Sequence, residues 1–219
     1  MLHVIDGIFN DEEAAALGSA AAALTFEDGR GTAAGAAAEV KKNEQAVESP
    51  ERAAVIERAR NALAASPLVQ SVARPRAFAR VLVSRYRPGM HYGAHVDSAI
   101  VNGARTDLSF TLGLTPADAY EGGALVVEDA AQRRSVRVGA GQVVLYPSDT
   151  LHAVEPVSRG ERLAVVGWIT SWVRDPARRA ILLDLDRTLH GLAGAGVDRS
   201  LTNRLLRTRT NLLRMWAEG

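Results

Sequence analysis

Phe78-Ala79-Arg80-Val81-Leu82-Val83-Ser84-Arg85-Tyr86, closed by Arg87-Pro88-Gly89, is where the chain takes up a period of two. Phe78, Arg80, Leu82, Ser84 and Tyr86 share one face, and Ala79, Val81, Val83 and Arg85 the other, as in a strand between two different surroundings. Arg87-Pro88-Gly89 is a turn signal. The same pattern continues C-terminally. His91 to Asp97 reads as a short strand. Asp107 to Leu114 alternates, with Leu108, Phe110, Leu112 and Leu114 opposite Ser109, Thr111 and Gly113. Glu121-Gly122-Gly123 turns into Ala124-Leu125-Val126-Val127. Ser135 to Val138, Gln142 to Tyr146 and Leu163 to Ile169 complete about eight short strands separated by glycine or proline, the pattern of a jelly roll or similar double-sheet barrel. The mouth of such a barrel is a concave ligand site.

N-terminal to the strands, Asn10-Asp11-Glu12-Glu13 reads as a capping box opening an Ala-rich helix to about Leu24. Gly29 to Ala38 reads as a loop, and Val40 to Gln45 as a polar stretch without period. Ser49-Pro50 opens a second helix, which ends by Ser66-Pro67. Helices followed by strands indicate α+β organisation. After the strands, Asp175-Pro176 starts a helix bearing Ile181, Leu182 and Leu185. A glycine-rich break, Gly191 to Gly196, precedes a last helix from Asp198. The expected division is a domain over residues 1–173, with helices at about 10–66 and a core at about 76–173, and a helical extension over 174–219.

The 219 residues are enough for one domain with an appendage, and a 47% hydrophobic share supports a real core. Cysteine is absent, which excludes disulfides, thiolate metal sites and cysteine nucleophiles. A metal would have to use Asp, Glu and the five histidines. A net charge of +1 indicates no particular partner. Met1-Leu2-His3-Val4-Ile5-Asp6 lacks a basic segment followed by an apolar run, and no run approaches the about 20 apolar residues of a spanning helix. The cytoplasm is the default expectation, with no membrane partner.

The chemistry centres on His95-Val96-Asp97, His152 and Arg162. On an extended segment His95 and Asp97 share a face, and an imidazole and a carboxylate there can take adjacent positions on one metal. His152 can close a third from a neighbouring strand. Two histidines and a carboxylate suit non-haem Fe(II), leaving positions open for chemistry. Each residue alone has an ordinary reading: an exposed strand pair, a backbone-bonded histidine, a solvated arginine. Their joint pattern outweighs these. His152 to Arg162 reads as strand, Pro/Gly turn and strand, a hairpin that would return Arg162 beside His152. A 2-oxo diacid chelated through its keto end leaves a distal carboxylate whose burial demands a cation, and the planar fork of arginine pairs both its oxygens. Tyr86, at a strand end, could add a hydroxyl to the same ligand.

Arg85-Tyr86, Tyr92-Gly93-x-His95-Val96-Asp97, Arg105-Thr106-Asp107-Leu108-Ser109, Tyr120-Glu121-Gly122-Gly123-x-Leu125, Leu145-Tyr146-Pro147-Ser148 and His152-x-Val154-x-Pro156-Val157-x-Arg159-Gly160-x-Arg162 together resemble the bacterial PKHD-type hydroxylases. These are prolyl-4-hydroxylase-like Fe(II)/2-oxoglutarate dioxygenases and include the iron-uptake-associated PiuC group. The resemblance runs from Val4-Ile5-Asp6-Gly7 to Leu212-Leu213-Arg214-x-Trp216. It implies a double-stranded β-helix (jelly-roll) core, iron at His95, Asp97 and His152, 2-oxoglutarate at Arg162, and ascorbate as reductant. It also implies an enzyme that uses O2 to convert 2-oxoglutarate to succinate and CO2 while hydroxylating a substrate, by analogy a siderophore-related small molecule or a protein side chain. Two positions depart from the pattern: Ala124 stands where a glutamate is usual, and Lys42 where an asparagine is. The first removes a surface or ligand-supporting contact, and the second alters a segment that would line the substrate entrance.

Two rival activities share parts of this pattern. An AlkB-like nucleic-acid demethylase would call for paired arginines after the distal histidine and a base-stacking platform; the first is missing, and aromatics total 5%. A non-catalytic iron or oxo-acid sensor would use the same ligands, and succinate production separates it. Arg174 to Trp216 holds nine arginines and no lysine. This reads first as an amphipathic helical pair with a solvated basic face, against a nucleic-acid surface or homo-oligomer contact.

Overall fold

The structure is a computed structural model describing residues 1–33, 35–128 and 132–218. Strand β1 (His3–Ile5) and helix α1 (Asp11–Ala22) lead to β2 (Phe26–Asp28). A 3-10 turn (Gly29–Thr32) and the one-turn helix α2 (Ala36–Glu39) precede β3 (Lys41–Lys42) and β4 (Glu44–Ala46). Helices α3 (Pro50–Ala65) and α4 (Pro67–Ala73) follow. Next come β5 (Pro75–Tyr86), β6 (His91–His95), β7 (Ile100–Val101), β8 (Ala104–Arg105) and β9 (Leu108–Gly113). The remaining strands are β10 (Glu121–Gly122), β11 (Leu125–Glu128), β12 (Arg133–Val136), β13 (Val143–Pro147), β14 (Leu151–Val154), β15 (Val157–Arg159) and β16 (Arg162–Ser171). Helices α5 (Pro176–Leu192) and α6 (Arg199–Trp216) come last.

Two antiparallel sheets face each other, as expected for a jelly roll. The larger is ordered β1-β13-β9-β16-β5-β4-β2 and the smaller β12-β11-β14-β6-β3. The period of two explains their placement. Val81 and Val83 turn toward α1, α3 and α4 and join a core with Leu17, Leu63, Leu112, Val165 and Ile169. Arg80, Leu82, Ser84 and Tyr86 turn the other way and line a cavity between the sheets. Leu125, Val127, Val144, Tyr146 and Val154 fill the rest of that space.

The capping box forms: Glu13 N–H donates to Asn10 Oδ1 at 2.9 Å, and Asn10 N–H to Glu13 Oε2 at 3.1 Å. Ser66 ends α3 and also caps α4, so the Ser66-Pro67 pair that reads as a stop is a start as well. The polar stretch around residues 40–45 forms two edge strands, β3 against β6 and β4 against β5. The expected His152–Arg162 hairpin does not form. β14 pairs with β11 and β6, whereas β16 pairs with β5 and β9 in the other sheet. The intervening β15 pairs with β10, so the chain crosses between layers and Arg162 faces His152 across the cavity.

The C-terminal pair packs on its own chain. Asp186 on α5 accepts from Arg74 at 2.7 Å and from Arg209 on α6 at 2.8 Å, tying the two helices to the end of α4. Glu218 N–H donates to the Trp172 carbonyl at 2.8 Å, and Arg105 to the Glu218 carboxylate at 2.9 Å. No residue of α6 is buried, consistent with a solvated basic face.

Candidate active site

β6 and β14 are neighbours, and register sets His152 directly opposite His95. β6 stops at His95, and Asp97 follows just beyond the strand end, its side chain turned back to both rings. Asp97 Oδ1 is 3.8 Å from His95 Nε2, and Oδ2 is 3.6 Å from His152 Nε2. One donor atom from each of the three residues lies within 4.8 Å of the others. The expected metal triad is thus brought to one point from two strands of the small sheet.

The surroundings prepare those atoms. His95 Nδ1–H donates to the Gly93 carbonyl and His152 Nδ1–H to the Thr150 carbonyl, each at 2.9 Å. A carbonyl only accepts, so both rings carry hydrogen on Nδ1, and Nε2 is the atom that each turns toward Asp97. Burial, then the nearby His152, lowers His95 to about 4 and keeps it neutral, the form that binds metal. Tyr92 stacks on His95 at 3.6 Å between centroids and fixes the ring plane. Ser109 Oγ–H donates to Asp97 Oδ2 at 2.5 Å and lies 2.9 Å from Ser148 Oγ. Two imidazoles and one carboxylate are a donor set fit for a divalent ion.

Arg162 opens β16 opposite Tyr86 on β5. Its guanidinium lies 5.2 Å from the centre of the Tyr86 ring. The residue is 2% exposed, yet Nε, Nη1 and Nη2 have no hydrogen-bond partner among the described residues. Gly123 allows this approach: a Cβ there would stand 3.0 Å from Arg162 Cδ, at a φ of +61°. Burial raises Tyr86, and raises Tyr146 strongly, so both hydroxyls remain protonated donors. All five expected site residues line one cavity of about 350 Å³.

Reasoning from the sequence missed Ser109 and Ser148, whose signal was the polar face of the 107–114 alternation and the Pro147-Ser148 turn. It gave no role of their own to Lys41, Asn43 and Gln45, which line the cavity from the segment spanning β3 and β4. Lys41 is indeed part of a wall, as expected of that segment, whereas the neighbouring Lys42 side chain is exposed. Ala124 is buried at 7% exposure, so its position is no surface contact.

Residues 81–170 match the 2OG-Fe(II) oxygenase superfamily, and residues 176–218 match the PKHD-type hydroxylase C-terminal domain. A PKHD-type hydroxylase of Maricaulis maris is 46% identical over 194 residues, covering 88% of both chains. One from Synechococcus elongatus is 41% identical over 226 residues, covering all of both. Among solved structures, a Pseudomonas putida prolyl-4-hydroxylase superposes with a TM-score of 0.55 at 20% identity, covering 78% of this chain and 92% of its own. A Trichoplax adhaerens prolyl hydroxylase bound to a hypoxia inducible factor peptide fragment reaches 0.61 at 14% identity, covering 82% and 86%. These two likenesses establish the jelly-roll fold.

Proposed function

Since the chain belongs to the PKHD-type hydroxylases, Fe(II)- and 2-oxoglutarate-dependent dioxygenases, we propose that His95, Asp97 and His152 hold its iron and that Arg162, with Tyr86, holds the distal carboxylate of 2-oxoglutarate. The observation that carries this reading is the buried, unpaired Arg162 in the same cavity as the triad. A guanidinium out of water with no counter-ion is costly. A carboxylate matching its fork removes that cost.

Iron held there would supply the reaction of O2 with 2-oxoglutarate, one oxygen atom going into succinate as CO2 leaves and the other into a substrate C–H bond. The protein's own contribution is positional. The Gly93 and Thr150 carbonyls hold each ring tautomer, Ser109 holds Asp97, and Arg162 with the protonated Tyr86 hydroxyl orients the co-substrate. Leu125, Val154 and Tyr146 wall the site with apolar surface that limits water.

In this reading residues 1–173 form the catalytic unit and 174–219 brace it. The substrate is a small molecule or a protein side chain. By resemblance and composition, the same reading includes a link to iron or siderophore uptake, ascorbate as reductant and a cytoplasmic setting. Among the described residues no helix is long and apolar enough to cross a membrane.

The test is succinate formation from 2-oxoglutarate under air with Fe(II), together with iron content. Wild type should produce succinate, and His152→Ala should lose both iron and turnover. A His152→Ala protein that loads iron normally would remove His152 from the triad.

A further inference from the structure

The cavity has a cation at each end. On β16 and β5 the inward residues pair as Arg162 with Tyr86, Val166 with Leu82, and Trp168 with Arg80. Six residues separate Arg162 from Trp168, about 20 Å of extended chain. Arg162 occupies the floor. At the other end stand Arg80 and, from β3 across the gap, Lys41, both lining the same cavity.

Among the described residues neither of these cations has an acid in ion-pair contact, although the charges of Asp28 and Asp97 reach Lys41 and that of Glu48 reaches Arg80. Lys41 is 6% exposed, and its ammonium donates to the neutral Thr32 hydroxyl at 2.8 Å while lying 5.0 Å from the Tyr92 ring. Among the described residues the Arg80 side chain has no hydrogen bond or ion pair. The acids nearest to them are engaged elsewhere. Asp28 takes a bidentate contact from Arg30, Glu48 pairs with Arg52, and Asp97 is held by Ser109 between the two histidines. Burial and the Arg80 charge together push the Lys41 ammonium down to about 8. Beside Arg80, the buried Trp168 Nε1–H also lacks a partner among the described residues and lines the cavity. Two cations and a free donor thus line the cavity away from Arg162.

We propose that this end of the cavity binds a carboxylate of the substrate to be hydroxylated, between Lys41 and Arg80 with the Trp168 indole N–H as a further donor, and that the substrate is a small organic acid. The inference rests on the proposed function, because it assigns 2-oxoglutarate to Arg162 and leaves the mouth for the second reactant. The exposed apolar residues Val96 and Ile100 at the rim would meet the uncharged part of such an acid. The cavity's about 350 Å³, shared with 2-oxoglutarate, suits a small molecule.

The test is equilibrium dialysis without oxygen. Protein loaded with Zn(II) and 2-oxoglutarate is dialysed against a small-molecule cell extract split on an anion exchanger, and both chambers are read by mass spectrometry. Compounds concentrated by wild type should come from the exchanger-retained acids. Their enrichment should fall by about tenfold or more in the Lys41→Met/Arg80→Met variant. Retained 2-oxoglutarate in the same samples should be unchanged in that variant and lost in Arg162→Met. If the double variant fails to fold, Arg80→Gln on its half-buried side chain gives the same comparison. Enrichment of neutral or cationic compounds, equal enrichment by wild type and variant, or no enrichment at all would overturn the inference. Undiminished 2-oxoglutarate in Arg162→Met would overturn the proposed function instead.

Discussion

A guanidinium held at 2% exposure with three unpartnered nitrogens makes an unusual demand on a single residue. Replacing Arg162 by Met removes an uncompensated buried charge, so the ligand-free protein should melt at a higher temperature than wild type. The same variant should lose the increase in melting temperature that 2-oxoglutarate gives wild type, with binding weakened about 100-fold for a loss of about 3 kcal/mol. Differential scanning fluorimetry with and without 2-oxoglutarate reads both effects. An Arg162→Met protein that is less stable than wild type and still stabilised by 2-oxoglutarate would count against the role of Arg162. Ser109 acts one step further out, donating to Asp97 Oδ2 at 2.5 Å. Ser109→Ala should leave the fold intact and weaken metal affinity about 10-fold or more, measured by competition with a chelator. The triad, Arg162 and Tyr86 were legible in the sequence because their chemistry is carried by residue type and spacing. Trp168 was not: it sits in an apolar run and reads as core, and its free N–H exists only in three dimensions.

At the scale of elements, what the sequence showed was what local physics decides. The Asn10 capping box needs only its own four residues, and it forms as expected. Asn10→Ala should cost about 1 kcal/mol in urea unfolding without changing 2-oxoglutarate binding. No change in stability would mean that α1 is held by its packing alone. β3 and β4 were not legible because two- and three-residue polar strands have no measurable period; pairing with β6 and β5 makes them strands. The same limit hid Lys41. The hairpin expected from His152 to Arg162 failed because a Pro/Gly turn fixes a change of direction but does not fix the sheet in which the next strand pairs. The crossing between layers gives the site its form. It leaves two histidines on one sheet and the arginine on the other, with room for a ligand between.

Across the whole molecule, half-buried His3 and buried His95 tie stability to pH. His3 on β1 is lowered to about 4, chiefly by burial, with the positive charges of Arg187 and Arg134 contributing, and His95 is likewise lowered to about 4. In the unfolded chain both would protonate near 6.5. Between pH 6.5 and 4 the unfolded state therefore binds more protons than the fold. Stability is greatest above 6.5 and falls as pH drops toward 4. Urea midpoints of the metal-free protein should decline over that window, and His3→Gln should make the decline shallower. A midpoint independent of pH from 7 to 4 would contradict this.

The central claim is that three side chains of one sheet and one arginine of the other hold a divalent ion and a 2-oxo diacid together. Its most direct test is a crystal structure grown without oxygen in Mn(II) and 2-oxoglutarate, with the ion located by anomalous scattering. The account predicts one ion bonded to His95 Nε2, His152 Nε2 and Asp97, with the distal carboxylate of the acid on the Arg162 guanidinium. An ion coordinated elsewhere, or a carboxylate turned away from Arg162, would contradict it.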